Sequence, residues 1–272
     1  KTPEDTWGFT KPLQKSALPP EVISARLRWA KDIEKFGNHN ANWYHRHCIW
    51  LDPCSSVVPA ARRTVFDHAQ ASKGKGKRWM SAGSKTQSRN LMSTPYAGKQ
   101  KQWADKRIWW FAVLARGKVM LMTMPLDWAQ TGPGMADMVS RLPSLLKRRF
   151  RGQSLPRVIF SDRGPGFYQA SSGTIVAAYS EGLDEHGFRP FAGPEAKWQP
   201  PDIPDVLLHE TVVAWTRAYL RRNPFKYTKK VGDNVKLFKK QLRRAEQHIN
   251  KNYDVDGLCR SFPDRIAKLI AA

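Results

Sequence analysis

Two aspartates follow apolar runs that have the character of buried strands. Asp52 ends the run HCIWLD, and Asp162 ends the run RVIFSD just before a turn-forming RGPG segment. Polar groups at the carboxyl ends of neighbouring strands line the ligand crevice of an open α/β sheet. If these strands are neighbours, the two carboxylates meet there and repel each other unless a cation lies between them. The pattern therefore predicts a divalent metal ion bound by Asp52 and Asp162.

A third carboxylate is expected from the segment PDVLLHETVVAW, which has the signature of a helix start. Pro204 and Asp205 are typical of a first helical turn, with Asp205 as the N-cap. Glu210 then lies along the apolar side of that helix. Such a glutamate either pairs with Arg217 or a lysine at the rim of the core, or it binds a ligand. His209 lies about 100° away around the helix and is expected to face elsewhere.

The elements that must position these residues alternate between strand and helix. In chain order the patterns predict a helix over 21–36, a loop over GNHNANWYH, a strand ending at Asp52, a hairpin over 107–125, a helix over 135–150 interrupted or kinked at Pro143, a strand ending at Asp162, a helix over 174–187, a short strand at RPF, a helix over 205–222, and basic helices beyond 223. Neither strand run alternates cleanly, so both are expected to be covered on both faces. This order predicts an α/β fold, an RNase H-like mixed sheet with an antiparallel three-stranded start and parallel additions, flanked by helices.

Composition divides the chain into three regions. Residues 1–40 are expected to form a lead-in and linker helix, 41–222 the domain that contains the RNase H-like sheet, and 223–272 a basic, helical C-terminal region. Within the second region, a polar, basic and glycine-bearing stretch over about 68–106 predicts a long insertion.

Positive charge dominates the sequence. Lysine and arginine number 46 against 23 acidic residues, which gives a net charge of +23 over 272 residues. This excess indicates a polyanionic partner, nucleic acid rather than a membrane, and no apolar run reaches the roughly 18 residues that a bilayer requires. The residues expected to contact DNA phosphates are Lys75, Lys77, Arg78, Lys147, Arg148, Arg149, Lys229, Lys230, Lys239 and Lys240.

The three cysteines do not form a disulfide framework and fit a reducing compartment. Cys48 and Cys54 lie close in sequence to His45 and His47, an arrangement that raises the question of a zinc site. The cluster lacks the paired C-x-x-C or H-x₃-H spacing of such sites. Packing of Cys48 in a core strand is the simpler interpretation.

The acidic segments resemble the motifs of the Tc/mariner superfamily of DDE transposases. PDVLLHE keeps the Pro-Asp and the five-residue step to the glutamate of that family's third-acid motif, PDLNPIE, and Trp215 follows. VIFSDRGPGFY resembles the second-acid strand, and CIWLDPCSS resembles the first. SARLRWAKD, KRWM and LCRSFPDRIAKLI resemble the segments before the domain, before the hairpin and in the closing helix, so the resemblance covers nearly the whole chain.

Three features depart from the family pattern. Pro53 stands in place of a glutamate, and Arg163 in place of an asparagine. The step from Asp162 to Glu210 is 48 positions (210 − 162), longer than is usual in the family, and the extra length is assigned to residues 171–193. The family's N-terminal helix-turn-helix domain has no counterpart in this sequence, which begins at Lys1, so a truncated or processed chain is expected, or a protein that has lost the domain.

The resemblance implies a transposase catalytic domain that cuts DNA and joins the 3′ end by in-line phosphoryl transfer. Asp52, Asp162 and Glu210 would be the catalytic residues and the ligands of two Mg²⁺ ions, with Mn²⁺ as a substitute. The implied partners are double-stranded DNA, as transposon ends and target, and further copies of the chain in a homodimer or larger synaptic assembly. The expected location is the nucleus in a eukaryote and the cytoplasm otherwise.

Two other functions stay open beside this one. A domesticated or inactive descendant of a transposase would bind DNA without cutting it. Pro53 and Arg163, which depart from the family motifs next to two of the acids, are compatible with that hypothesis. An RNase H-like resolvase would cut DNA without joining it, which a strand-transfer assay would reveal.

Overall fold

A computed structural model describes residues 20–36, 40–58, 106–161, 164, 166–169, 174–191, 206–223 and 231–271 of the chain. The helices in these residues are α1 (Pro20–Phe36), α2 (Ala41–His47), α3 (Gly132–Arg149), α4 (Ala177–Glu185), α5 (Leu208–Arg222), α6 (Val231–Asn252), α7 (Val255–Arg260) and α8 (Phe262–Ala271). The strands are β1 (Cys48–Val58), β2 (Lys106–Ala115), β3 (Lys118–Thr123), β4 (Val158–Phe160), β5 (Tyr168–Gln169), β6 (Thr174–Ile175) and β7 (Arg189–Pro190).

A five-stranded mixed sheet organises the fold, with strand order β3-β2-β1-β4-β7. β1, β2 and β3 are antiparallel neighbours, whereas β4 pairs parallel with β1 and β7 pairs parallel with β4. β5 and β6 form a separate small antiparallel hairpin. The sheet confirms the predicted fold class, an RNase H-like mixed sheet flanked by helices.

The sheet is covered on both faces, as the unbroken apolar character of its strands predicts. Side chains alternate between the faces of a strand, so Cys48, Trp50 and Cys54 share one face of β1 while Ile49 and Leu51 share the other. The first face packs against α1, α5, α6 and α8, and we call this core the α5 layer. The second face packs against α3 and α4 and forms the α3 layer.

β1 does not end at Asp52, which corrects the expectation that Pro53 stops it. The strand continues to Val58, and its antiparallel ladder with β2 pairs Asp52 with Ala112 and Pro53 with Phe111. Proline interrupts a strand by lacking an N–H, but it is tolerated where no neighbouring strand needs that donor. The ladder from β1 to β4 ends at Trp50, so Pro53 lies where β1 has a strand partner only on its β2 side within the described ladders.

Four other boundaries differ from the sequence expectations. Residues 41–47 form α2 rather than a loop, because Asn40 caps the helix with its side-chain oxygen accepting from Trp43 N at 3.1 Å. The chain is helical only from Ala177, since residues 174–175 pair in β6. α3 continues through Pro143, so of the two predicted alternatives there, an interruption or a kink, the interruption is wrong. α5 begins at Leu208, and its N-cap position is Leu207; the predicted cap Asp205 lies outside the described residues.

β3 is an edge strand of the sheet, and polar side chains of α6 cover its free edge. Asn250 accepts from Val119 N at 2.9 Å through Oδ1 and donates to Val119 O at 2.8 Å through Nδ2. Glu246 accepts from Leu121 N at 2.9 Å. These bonds satisfy backbone groups that would otherwise be available to pair with another strand. α6 therefore replaces the missing strand neighbour of β3.

The predicted insertion over 68–106 falls almost wholly on residues 59–105, outside the described residues, and the predicted division of the chain into three regions stays a prediction. Among the helices that the structure describes, none is long and apolar enough to cross a membrane.

Candidate active site

Asp52 lies in the middle of β1, on the face that α5 covers. The strand alternation that buries Trp50 and Cys54 in the α5 layer directs Asp52 to the same side of the sheet. Its carboxylate is partly exposed, and Oδ2 accepts a hydrogen bond from Cys54 Sγ at 3.6 Å. β1 thus presents a carboxylate among the mostly apolar side chains of this face.

Glu210 approaches the same place from the helical layer. It lies in the first turn of α5, where a negative charge interacts favourably with the helix dipole, and it is partly exposed. α5 packs across β1 and β2, because Leu208, Val212 and Val213 are buried in the α5 layer. In the described part of the chain, no side chain forms an ion pair or hydrogen bond with the Glu210 carboxylate.

The pKa of the Cys54 thiol depends on the charged groups around it. Burial raises its pKa well above the ordinary value, and the charge of Asp52 raises it further. Glu210 also raises the pKa of this thiol, whereas Arg217 lowers it. The charges of Asp52, Glu210 and Arg217 therefore all act on the pKa of this thiol.

Cys54 and Arg217 were not predicted as parts of a site, although the sequence carries a signal for both. Cys54 is two residues from Asp52 and therefore on the same face of a strand. Arg217 is seven residues from Glu210, two helical turns away on the same face of α5. The expected ion pair between Arg217 and Glu210 is not formed in the described part of the chain.

The third predicted acid, Asp162, and its neighbour Arg163 lie outside the described residues. The preceding strand β4 is described, and it is the parallel neighbour of β1. Among the residues that the structure describes, no group of three or more His, Cys, Asp or Glu side chains could hold a metal ion. Asp52 and Glu210 supply carboxylate oxygens, the donor type that Mg²⁺ and Mn²⁺ prefer.

His209 faces away from this site, as its position on the helix predicts. Its side chain is fully buried on the core stripe of α5, next to Val212, Val213 and Thr216. Neither ring nitrogen has a hydrogen-bond partner among the described residues. Burial lowers the pKa of His209 to about 3, so the ring is neutral in the folded protein and does not contact phosphate.

Acidification is expected to destabilise the protein through His209. The unfolded state takes up a proton near the ordinary pKa of about 6.5, whereas the folded state does so only near 3, so stability falls as the pH drops through this window. Integration gives a loss of about 2 kcal/mol between pH 7.5 and pH 5 from this residue. His209→Leu, which removes the titrating group at similar volume, is expected to lose about 2 kcal/mol less than the wild type over the same interval. Urea unfolding at the two pH values measures this, and equal losses in both proteins would contradict it.

The residues that raised the question of zinc are separated in the structure. His45 Nε2 lies 2.6 Å from Asp256 Oδ1, which ties α2 to α7. Cys48 and Cys54 are buried on β1, and all three cysteines are free thiols.

The predicted DNA contacts are partly described. Lys147, Arg148 and Arg149 are exposed in the last turn of α3, while Lys239 and Lys240 lie on α6, partly exposed and exposed respectively. Lys75, Lys77, Arg78, Lys229 and Lys230 lie outside the described residues.

The fold is similar to that of the catalytic domain of Mos1 mariner transposase. The crystal structure of the catalytic domain of Mos1 mariner transposase covers 95% of this chain and 97% of its own, with a TM-score of 0.57 and 10% sequence identity. The structure of the same domain with raltegravir and Mg gives a TM-score of 0.54 at 9% sequence identity. The match covers 94% of this chain and 96% of that chain.

Complexes of the longer Mos1 chain with DNA are also similar. The Mos1 mariner paired-end complex with Mn gives a TM-score of 0.59 at 13% identity, with 97% of this chain and 66% of that chain covered. This chain therefore spans slightly less than two thirds of the transposase in that complex. No protein-family model and no curated protein matches the sequence. At 9–13% identity these likenesses establish the fold.

Proposed function

We propose that this chain is the catalytic domain of a DNA transposase that cuts DNA strands and joins their 3′ ends by metal-dependent, in-line phosphoryl transfer. The observation that carries the proposal is the placement of Asp52 on the sheet face that α5 covers and of Glu210 in the first turn of α5, in a fold similar to that of the Mos1 catalytic domain. Two carboxylates placed close together repel each other, and a bound cation would resolve that repulsion.

The register of the sheet supports the inclusion of Asp162. β1 and β4 pair Cys48 with Val158, Ile49 with Ile159 and Trp50 with Phe160, a constant offset of 110 positions (158 − 48). Asp52 and Asp162 are separated by the same 110 positions (162 − 52). If the register holds for two more residues, the two aspartates are cross-strand neighbours. Strand alternation then directs both side chains to the α5 face, where Glu210 lies.

These residues suit a divalent metal with hard oxygen ligands. Asp52, Asp162 and Glu210 would hold Mg²⁺ or Mn²⁺, two ions in the full site, and the similar Mos1 structures include complexes with Mg and with Mn. The metal would lower the pKa of the attacking water or 3′-hydroxyl and stabilise the departing 3′ oxygen.

The neighbouring side chains have distinct tasks in this proposal. Cys54 stays a neutral thiol, because burial and two carboxylates raise its pKa, and its Sγ–H donates to Asp52 and orients that carboxylate. Arg217 supplies a cation beside the acids, suited to a phosphate oxygen of the bound strand. Lys239 and Lys240 on α6 would add sequence-independent phosphate contacts.

The test is a DNA assay that separates cutting from joining. The 272-residue chain is incubated with supercoiled plasmid and a labelled duplex carrying a free 3′-hydroxyl, with Mn²⁺, with Mg²⁺ or with EDTA. We expect metal-dependent nicking and transfer of label to the plasmid. Nicking without transfer would instead identify a nuclease. Stable DNA binding with neither product would identify an inactive descendant and overturn the proposal of catalysis.

A further inference from the structure

A group of cations lies around the last turn of α3 and the turn between β2 and β3. Lys147, Arg148 and Arg149 are exposed in the last turn of α3, Arg151 follows them, and Arg116 reaches over from the turn between β2 and β3. We call these five residues the Arg116 surface. In the described part of the chain, none of the five forms an ion pair with an acidic side chain.

Arg116 is held against α3 by two contacts. Its Nη1 donates to Ser154 O at 2.6 Å, and its guanidinium lies over the Phe150 ring at 5.8 Å from the ring centroid. Because Phe150 directly follows Arg149 and precedes Arg151, the contact joins Arg116 to the basic end of α3. A basic side chain in the last turn stabilises a helix end, but that effect does not account for an arginine held there from another element.

The backbone of Arg116 adopts a conformation that arginine rarely takes. Its φ is 47° and that of Gly117 is 67°, so both central residues of this hairpin turn are left-handed. Asn-Gly is the favoured pair in such a turn, because asparagine tolerates this region better than other side chains do. Gly117 is required, since a Cβ there would lie 2.6 Å from Asp256 Oδ1. Asparagine would adopt this backbone conformation with less strain than arginine does. The presence of arginine at this position therefore indicates that its guanidinium group is needed.

The Arg116 surface and the acidic site are separated by the sheet. Asp52 and Glu210 belong to the α5 face, whereas α3 covers the other face. α3 begins beside Gly166, where an added Cβ would lie 2.9 Å from Met135 Cγ, and its last turn lies beside the loop that leads into β4. Its 18 residues span about 27 Å. Asp52 and the basic end of α3 therefore lie in different layers of the domain, on opposite faces of the sheet.

We propose that the Arg116 surface binds a second DNA duplex, distinct from the one held at the acidic site. Five cations with no acidic partner among the described residues match a phosphate backbone, which carries about one negative charge per 1.7 Å of duplex. Phe150 is buried beneath Arg116, so the surface offers no apolar group to insert into a membrane. The proposal rests on DNA being the partner of the proposed function, but binding of a second duplex needs neither metal nor catalysis.

The test is a bridging assay in EDTA with the 272-residue chain. The chain is bound to an immobilised duplex, and capture of a second, fluorescent duplex is measured over a series of salt concentrations. The variant is the triple substitution Lys147→Gln, Arg148→Gln and Arg149→Gln. The control with the same change of charge is Arg28→Gln, Lys31→Gln and Lys268→Gln, at exposed positions on α1 and α8.

We expect the wild type and the control to capture the second duplex. The triple variant is expected to stay bound to the immobilised duplex. For the second duplex, the plot of log affinity against log salt concentration is expected to become shallower, with the magnitude of its slope reduced by about 2.7. Unchanged capture by this variant would overturn the inference. Equal loss of both duplexes would show one continuous DNA site and would also overturn it. Tighter binding of the wild type to phosphatidylserine vesicles than to the second duplex would identify a lipid surface as the partner instead.

Discussion

Replacing Asp52 by asparagine is expected to lower metal-dependent DNA nicking by about 10³-fold, because the substitution removes a ligand charge whose metal supplies several kcal/mol at the transition state. Asparagine keeps the shape of the side chain and an oxygen that accepts from Cys54, so the fold should stay intact. The measurement is the single-turnover nicking rate at saturating Mn²⁺, with the urea midpoint as a check on folding. Glu210→Gln is expected to behave similarly.

The matched control for this experiment is Asp184→Asn. Asp184 is exposed on α4, on the face of the sheet opposite to Asp52, and its substitution removes the same charge from the chain. We expect its nicking rate to equal that of the wild type. If Asp52→Asn also cuts DNA at the wild-type rate, the assignment of Asp52 as a metal ligand is wrong.

The largest expected effect on stability comes from Phe160→Ala. Phe160 stacks on Phe191 with ring centroids 4.0 Å apart and on Trp50 at 5.5 Å, and it meets the edge of Phe262 at 5.1 Å. These rings join β4 to β1 and to α8 in a fully buried layer. Truncation removes a large apolar side chain and leaves a cavity, which costs about 3–5 kcal/mol of unfolding free energy.

Urea unfolding at neutral pH measures this cost from the shift in midpoint. Leu126→Ala is the control, because Leu126 is 45% exposed and its truncation is expected to change the free energy of unfolding by less than about 0.5 kcal/mol. A loss below about 1.5 kcal/mol in Phe160→Ala would mean that the aromatic layer repacks around the gap, contrary to the rigid packing described above.

The main features of the sheet could be read from the sequence because they depend on local chemistry. The ARGK turn between two apolar runs predicted the β2–β3 hairpin, and the runs around Ile49 and Ile159 lack alternation because both faces of these strands are buried. Helix α5 was also predictable, since its apolar residues recur with helical spacing. Its first turn was placed too early, because Asp205 has the residue type of an N-cap whereas the helix begins after Leu207.

The candidate site was harder to predict, because it depends on which strands become neighbours. Pro53 has the local signature of a strand end, but β1 continues, since its ladder to β2 tolerates the missing donor. Pro53 is also the reason why Cys54 was not predicted as part of the site. Cys54 shares a strand face with Asp52 only if the strand extends past Pro53. The seven residues of α2 carry a weak helical pattern, and the Asn40 cap that starts it is also typical of loops.

The central claim is that Asp52, Asp162 and Glu210 bind a divalent metal ion, and Mn²⁺ tests it most directly. Crystals of the chain soaked in Mn²⁺ and measured at the manganese edge would show bound ions as anomalous difference density. The account predicts one or two peaks between these carboxylates, on the α5 face of the sheet, and their loss in Asp162→Ala. Saturating Mn²⁺ with no peak, and with the acids apart or paired with Arg163 or lysines, would contradict it.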